Sequence, residues 1–181
     1  NTAFAKRPPA HLPDNDTLWA MQQAGQALLA SAGYAQYEVS AYARDDNTCQ
    51  HNVNYWQFGD YVGIGAGAHG KITAADGTIH RRSKLKNPTL YMQHAGTPTA
   101  CEEHKMVPTA DLPLEFMMNA LRLNAGFSPA LYAQRTGLAW VDVMPVMAPL
   151  VAQGLVAHTD DTARCTALGQ ALLDTVLGAF V

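Results

Sequence analysis

The sequence predicts an α/β portion followed by a small α-helical domain of winged-helix-like order. Three observations carry this prediction. A helical pattern, a glycine turn and a β-branched, aromatic stretch follow one another between Asp16 and Tyr42, the order of an α/β unit. Composition then shifts to Thr, Pro, Ala and acidic residues over Thr97 to Asp111, which reads as a linker. Beyond it only short helical patterns and one small hairpin remain.

The elements follow in order. Lys6-Arg7-Pro8-Pro9 and Pro13 hold the opening segment extended, so no helix starts early. Asp16 caps a helix through Ser31, with Leu18, Met21, Leu28 and Leu29 at helical spacing and Gly33 as its stop. Gln36 to Tyr42 reads as a strand, Arg44 to Gln50 as a polar loop, and Tyr61 to Gly65 as a buried strand. Asp76-Gly77 predicts a type I′ hairpin within Lys71 to Arg82, and Asn87-Pro88 opens a helix to about His94. Helices over Pro113–Leu123, Ser128–Arg135 and Val141–Gln153 come next. A hairpin of Leu155–Asp160 with Ala163–Thr166 and a closing helix over Leu168–Phe180 complete the winged-helix-like order.

Composition narrows the function. The 181 residues carry 12 Lys+Arg against 15 Asp+Glu, which disfavours nucleic-acid binding by bulk charge. From Lys105 onward four basic residues (Lys105, Arg122, Arg135, Arg164) face six acidic ones, and the helix over Val141–Gln153 has no basic residue to set against phosphate. No apolar run is long enough for a transmembrane helix. The three scattered cysteines, Cys49, Cys101 and Cys165, and the lack of a signal sequence read as a reduced, cytoplasmic protein. The chain opens on Asn1, which reads as a piece of a longer protein.

Two stretches concentrate chemistry. His51-Asn52-Val53-Asn54-Tyr55-Trp56, just after Cys49, combines an imidazole with two large rings, what an iron porphyrin needs for ligation and packing. The same residues would also serve as core filling and a helix cap. Lacking a second His or Cys at i+3 or i+4 from His51, a metal site without haem is weaker. Gly63-Ile64-Gly65-Ala66-Gly67-Ala68-His69-Gly70 fits neither the dinucleotide fingerprint nor a phosphate loop. Its small residues mean close backbone approach by another strand or by something flat. Arg81, Arg82, Lys84 and Lys86 form a basic cluster suited to ligand carboxylates or to guarding a solvated sheet edge.

QYEVSAYAR (Gln36 to Arg44), CQHNVNYWQFGDYVGIGAGAHGK (Cys49 to Lys71) and EFMMNALRL (Glu115 to Leu123) resemble the oxygen-independent coproporphyrinogen III oxidase-like branch of the radical S-adenosylmethionine enzymes, and within it the haem-chaperone group. The resemblance spans the whole chain. It implies that residues 1–104 are the C-terminal part of an incomplete TIM-like barrel and residues 105–181 the family's C-terminal helical domain. It implies haem binding through His51, Asn52, Tyr55 and Trp56, with His51 as the iron ligand, and adenosyl contacts from Ile64, Gly65 and His69. The family's cysteine motif for a 4Fe–4S cluster, C-x-x-x-C-x-x-C, does not occur here. The expected function is therefore haem binding and transfer to an acceptor protein, within a longer protein that also carries the cluster and S-adenosylmethionine. The alternatives are an oxidase acting on coproporphyrinogen III and a non-catalytic interaction module. A chain lacking its partner strands is expected to self-associate through the Tyr61–Gly65 edge.

Overall fold

Ala3–Lys6 forms a one-turn helix, α1, in the computed structural model, which describes residues 3–181. The expectation of an extended opening is corrected there: the prolines follow this turn rather than interrupt it. Asn1 lies outside the described residues. Helix α2 (Asn15–Ser31) is capped by Asp14 rather than Asp16, its Oδ1 accepting from the Thr17 amide at 2.8 Å. Asp16 sits inside the first turn, where a carboxylate suits the dipole. Gly33, at φ +81°, ends the helix as expected.

The expected strand over Gln36–Tyr42 is instead a hairpin, β1 (Tyr34–Glu38) with β2 (Ala41–Arg44), turning at Val39-Ser40. Ser40 makes the turn local: its amide and its hydroxyl both donate to Glu38 Oε1. Helix α3 (Gln50–Trp56) begins inside the aromatic stretch. Tyr61 to Gly65 does not form the buried strand expected of it. Tyr61 alone bridges to Lys71, and the backbone then leaves the sheet with Val62 and Ile64 exposed. Glycines at 63 and 65 weaken strand propensity there.

Strands β3 (His69–Thr73) and β4 (Ile79–Lys84) form the expected hairpin. Its turn is not type I′, since Gly77 has a positive φ and Asp76 does not. The Gly77 amide donates to Ala74 O and Ala74 pairs with Thr78, the three-residue loop that a single left-handed glycine permits. Helix α4 (Pro88–His94) matches expectation, with Asn87 as its cap. The supposed linker holds a strand, β5 (Cys101–Met106), which pairs with β4 and makes the sheet three-stranded. Backbone pairing overrode a composition that disfavours strands. It also makes β4 the central strand, so the basic cluster guards no edge. All strand pairings among the described residues are antiparallel.

Three helices follow: α5 (Leu112–Ala120), α6 (Pro129–Thr136) and α7 (Met144–Ala152), the last preceded by a 3₁₀ turn. Strands β6 (Val156–His158) and β7 (Ala163–Cys165) pair as expected. The closing helix is two pieces, α8 (Ala167–Ala171) and α9 (Leu173–Gly178), because Leu172 leaves helical geometry. The break leaves Leu168 and Leu172 exposed while Val176 enters the core. That core centres on fully buried Phe116, whose ring meets Phe127 at 5.0 Å, Tyr132 at 5.1 Å and Phe58 at 5.8 Å, edge to face. Phe58 and Ile79 belong to this same core, so the N-terminal elements and the helical part are packed on one another. No described helix is long and apolar enough to cross a membrane.

Candidate functional site

Helix α3 has seven residues, so its side chains divide by the i, i+4 rule. His51 and Tyr55 share one face; Asn52 and Trp56 share the neighbouring one. His51 is exposed and its imidazole has no hydrogen-bond partner among the described residues. The second face is anchored. Asn52 donates to the Tyr37 hydroxyl at 3.2 Å. The Arg122 guanidinium lies 4.3 Å from the Trp56 ring centre, a cation–π stack. Glu38, 2% exposed, holds Arg122 in turn, its Oε2 accepting from Nη2 at 3.0 Å and from Nε at 3.2 Å. Trp56 Nε1 is buried with no acceptor among the described residues.

The two chemistry-bearing stretches meet through rings. Tyr55 is edge-on to Trp56 at 4.7 Å and packs on Tyr61 at 4.9 Å, where the glycine-rich segment begins. Arg81 donates to the Tyr61 hydroxyl at 3.0 Å and pairs with Glu115. Burial pushes the Tyr61 hydroxyl up to about 12, Tyr55 adding to the rise and Arg81 opposing it, so it stays protonated at neutral pH. Beneath it Lys71, 1% exposed, reaches Asp60 at 2.7 Å and lies 4.3 Å from the Phe58 ring centre. Burial pulls the Lys71 ammonium down while Asp60 pushes back. Burial works to raise Asp60, and the hydrogen bonds from Lys71 and Thr73 outweigh it, holding the carboxyl below its ordinary range.

The glycine-rich segment divides by function. Gly63 and Gly70 are small so that the chain can lie on itself: a Cβ on Gly63 would meet the His69 carbonyl oxygen at 2.1 Å. Gly65, at φ +113°, has nothing within 4 Å of where its Cβ would be, and its amide donates to the Tyr91 hydroxyl at 3.1 Å. Ile64 is 84% exposed, and the His69 ring is exposed as well. Val62, Gly63, Ala68, Gly70 and Ile72 line a cavity of about 320 Å³ with Arg82 and Lys84 at its polar end. Neither Ile64, Gly65 nor His69 lines it.

Glu38, Arg122, Tyr61 and Glu115 are the site residues that sequence reasoning passed over, while Arg81 was read only as one of a basic cluster. Glu38, Glu115 and Arg122 lie within the very motifs that carry the family resemblance, which was the available signal. The Glu38–Arg122 pairing across 84 positions was not readable from spacing. Among the described residues no group of three or more His, Cys, Asp or Glu side chains is placed to hold a metal ion.

A family model for the HemN C-terminal domain matches residues 107–172. Over all 181 residues the chain is 42% identical to the haem chaperone HemW of Escherichia coli (strain K12), covering 47% of that protein. The chain is similar in sequence to the C-terminal half of HemW. It is 41% identical to HemW of Haemophilus influenzae over the same 181 residues, covering 46% of that protein. The chain thus spans about half the length of the curated HemW relatives it matches. Among solved structures, coproporphyrinogen III oxidase (HemN) from Escherichia coli, described as a radical SAM enzyme, superposes with a TM-score of 0.67. That match covers 97% of this chain and 43% of the oxidase at 20% identity, which shows a shared α/β fold with the C-terminal part of HemN.

Proposed function

We propose that the protein to which this chain belongs binds haem and passes it to acceptor proteins in the cytoplasm, and that α3 presents the iron ligand. One observation carries the reading: His51 is solvent-facing and has no hydrogen-bond partner among the described residues, one turn from Tyr55, whose ring meets the anchored Trp56. A carrier must release what it binds, and an open imidazole on a short surface helix suits exchange better than a buried one. Neutral imidazole with flanking rings is a donor set suited to a porphyrin iron. Haem, when bound, would supply the iron and the propionates. Asn52 and Tyr37 hold the helix, and the Trp56 ring, stacked on Arg122, offers a wall.

The glycine-rich segment supports the adenosyl part of the reading less evenly. At Gly65 the open backbone would let a flat ring lie close, while Ile64 and His69 stand out toward solvent. S-adenosylmethionine and the cluster would belong to the chemistry of the longer protein. We read residues 1–104 as the last part of a barrel and 105–181 as a helical domain of winged-helix-like order, with no nucleic-acid role. Haem titration of the full-length protein tests the proposal: His51→Ala should shift the Soret band and weaken haem binding at least about tenfold. Unchanged spectrum and affinity would remove His51. Anaerobic conversion of coproporphyrinogen III to protoporphyrinogen by the reconstituted full-length protein would favour the oxidase alternative.

A further inference from the structure

Away from that site, two imidazoles face each other on the three-stranded sheet. The register sets Arg82 opposite His104 and His80 opposite Met106, so His80 and His104 are diagonal neighbours on one face of β4 and β5. His104 Nε2 lies 3.2 Å from His80 Nδ1, with ring centres 5.0 Å apart. The far side of His80 is also engaged. Its Nε2 lies 3.1 Å from Thr78 Oγ1, and Thr78 Oγ1 lies 2.7 Å from Asp76 Oδ1. The carboxylate accepts only, so the single Thr78 hydroxyl proton goes to Asp76, and that hydroxyl must accept from His80 Nε2–H. In the neutral imidazole this places the proton of His80 on Nε2 and turns the Nδ1 lone pair toward His104.

We propose that His80 and His104 form a binding site for a borderline divalent transition-metal ion, Cu²⁺, Ni²⁺ or Zn²⁺. With metal–nitrogen bonds of about 2.0–2.1 Å, nitrogens at this separation subtend about 100° at the ion, near a tetrahedral or cis angle. His104 needs only to carry its proton on Nδ1 for both lone pairs to be available. The Asp76–Thr78 relay behind His80 is the outer-shell arrangement that orients a ligating imidazole. Two protein ligands leave the other positions to water, so the site is an exchanging one, and copper binds most tightly of the three. Arg82, across from His104, opposes any cation there. It limits affinity without blocking the site.

The test is titration of this 181-residue chain with Cu²⁺, free of haem, followed by electron paramagnetic resonance, and with Ni²⁺ by calorimetry. We expect one bound Cu²⁺ showing coupling to two imidazole nitrogens. That signal should be lost in the His80→Ala/His104→Ala double variant and retained in His51→Ala, which separates this proposal from the haem reading. Thr78→Val should weaken binding about tenfold through the lost relay, and Arg82→Ala should tighten it. Where the double variant fails to fold, His104→Gln, at an exposed position, provides the same reading as loss of one nitrogen. Equal affinity in the parent and the histidine variants, or no two-nitrogen signal in the parent, overturns the proposal.

Discussion

Arg122→Ala removes the residue that ties α5's C-terminal end to both the β1–β2 hairpin and α3. Glu38 is buried, and among the described residues its Oε2 is served by Arg122 alone, while Oε1 keeps both Ser40 bonds. Removing one partner of a buried ion pair costs about 3–5 kcal/mol. Arg122 is a quarter exposed, so water reaches the vacated space and the figure falls to about 2–3 kcal/mol. Loss of the stack on Trp56 at 4.3 Å adds about 0.5–1 kcal/mol. The sum, near 3 kcal/mol, corresponds to a melting temperature about 6–12 °C lower for a chain of this length. Urea denaturation of the chain measures it directly. Glu38→Gln with Arg122→Met should recover more than 1 kcal/mol of the summed single losses, because no buried charge is then left alone (about the range of coupled neighbours). A single-variant loss below about 0.5 kcal/mol, the ordinary range for surface changes, refutes the idea that this pair locks α3 in place.

Other expectations are as direct. Gly63→Ala, which sets a Cβ 2.1 Å from the His69 carbonyl oxygen, should cost about 2 kcal/mol or more. Gly65→Ala, with open space around it, should cost only about 1 kcal/mol from its positive φ; equal melting temperatures for the two variants would contradict this packing. Burial raises the Cys165 thiol to about 11 from 9.0, so the folded state holds its proton longer than the unfolded chain does. Stability should therefore fall between pH 9 and 11 by an amount of order 2–3 kcal/mol that a Cys165→Ala variant lacks; parallel pH profiles would refute it. Leu18, Met21 and Leu28 of α2, with Val62 and Ile64, leave apolar surface exposed. The isolated chain should accordingly self-associate in sedimentation experiments, and a clean monomer with low dye binding would count against that.

Elements with punctuation at both ends were legible: α2 between its cap and Gly33, α4 behind Asn87-Pro88, and the three helices after residue 111. The misreadings share a cause. Gln36–Tyr42 has strand propensity throughout, and local side-chain bonds, Ser40 to Glu38 and Gln36 to the Val39 carbonyl, fold it back into a hairpin. Cys101–Met106 is polar and short, yet β4 offered it a free edge. Tyr61–Gly65 reads as a strand from its apolar residues, but the glycines let it leave the sheet after a single bridge.

The sequence by itself determined the family resemblance, the helical order of the C-terminal part and the residues of both candidate stretches, because these rest on local spacing and side-chain chemistry. Tertiary structure alone decided that Tyr55 and Tyr61 join the two stretches, that Arg122 is held by Glu38 against Trp56, and that His80 meets His104. Such contacts depend on the register of strands and the angle at which helices cross, and these are set by packing around Phe116 rather than by any residue's immediate neighbours.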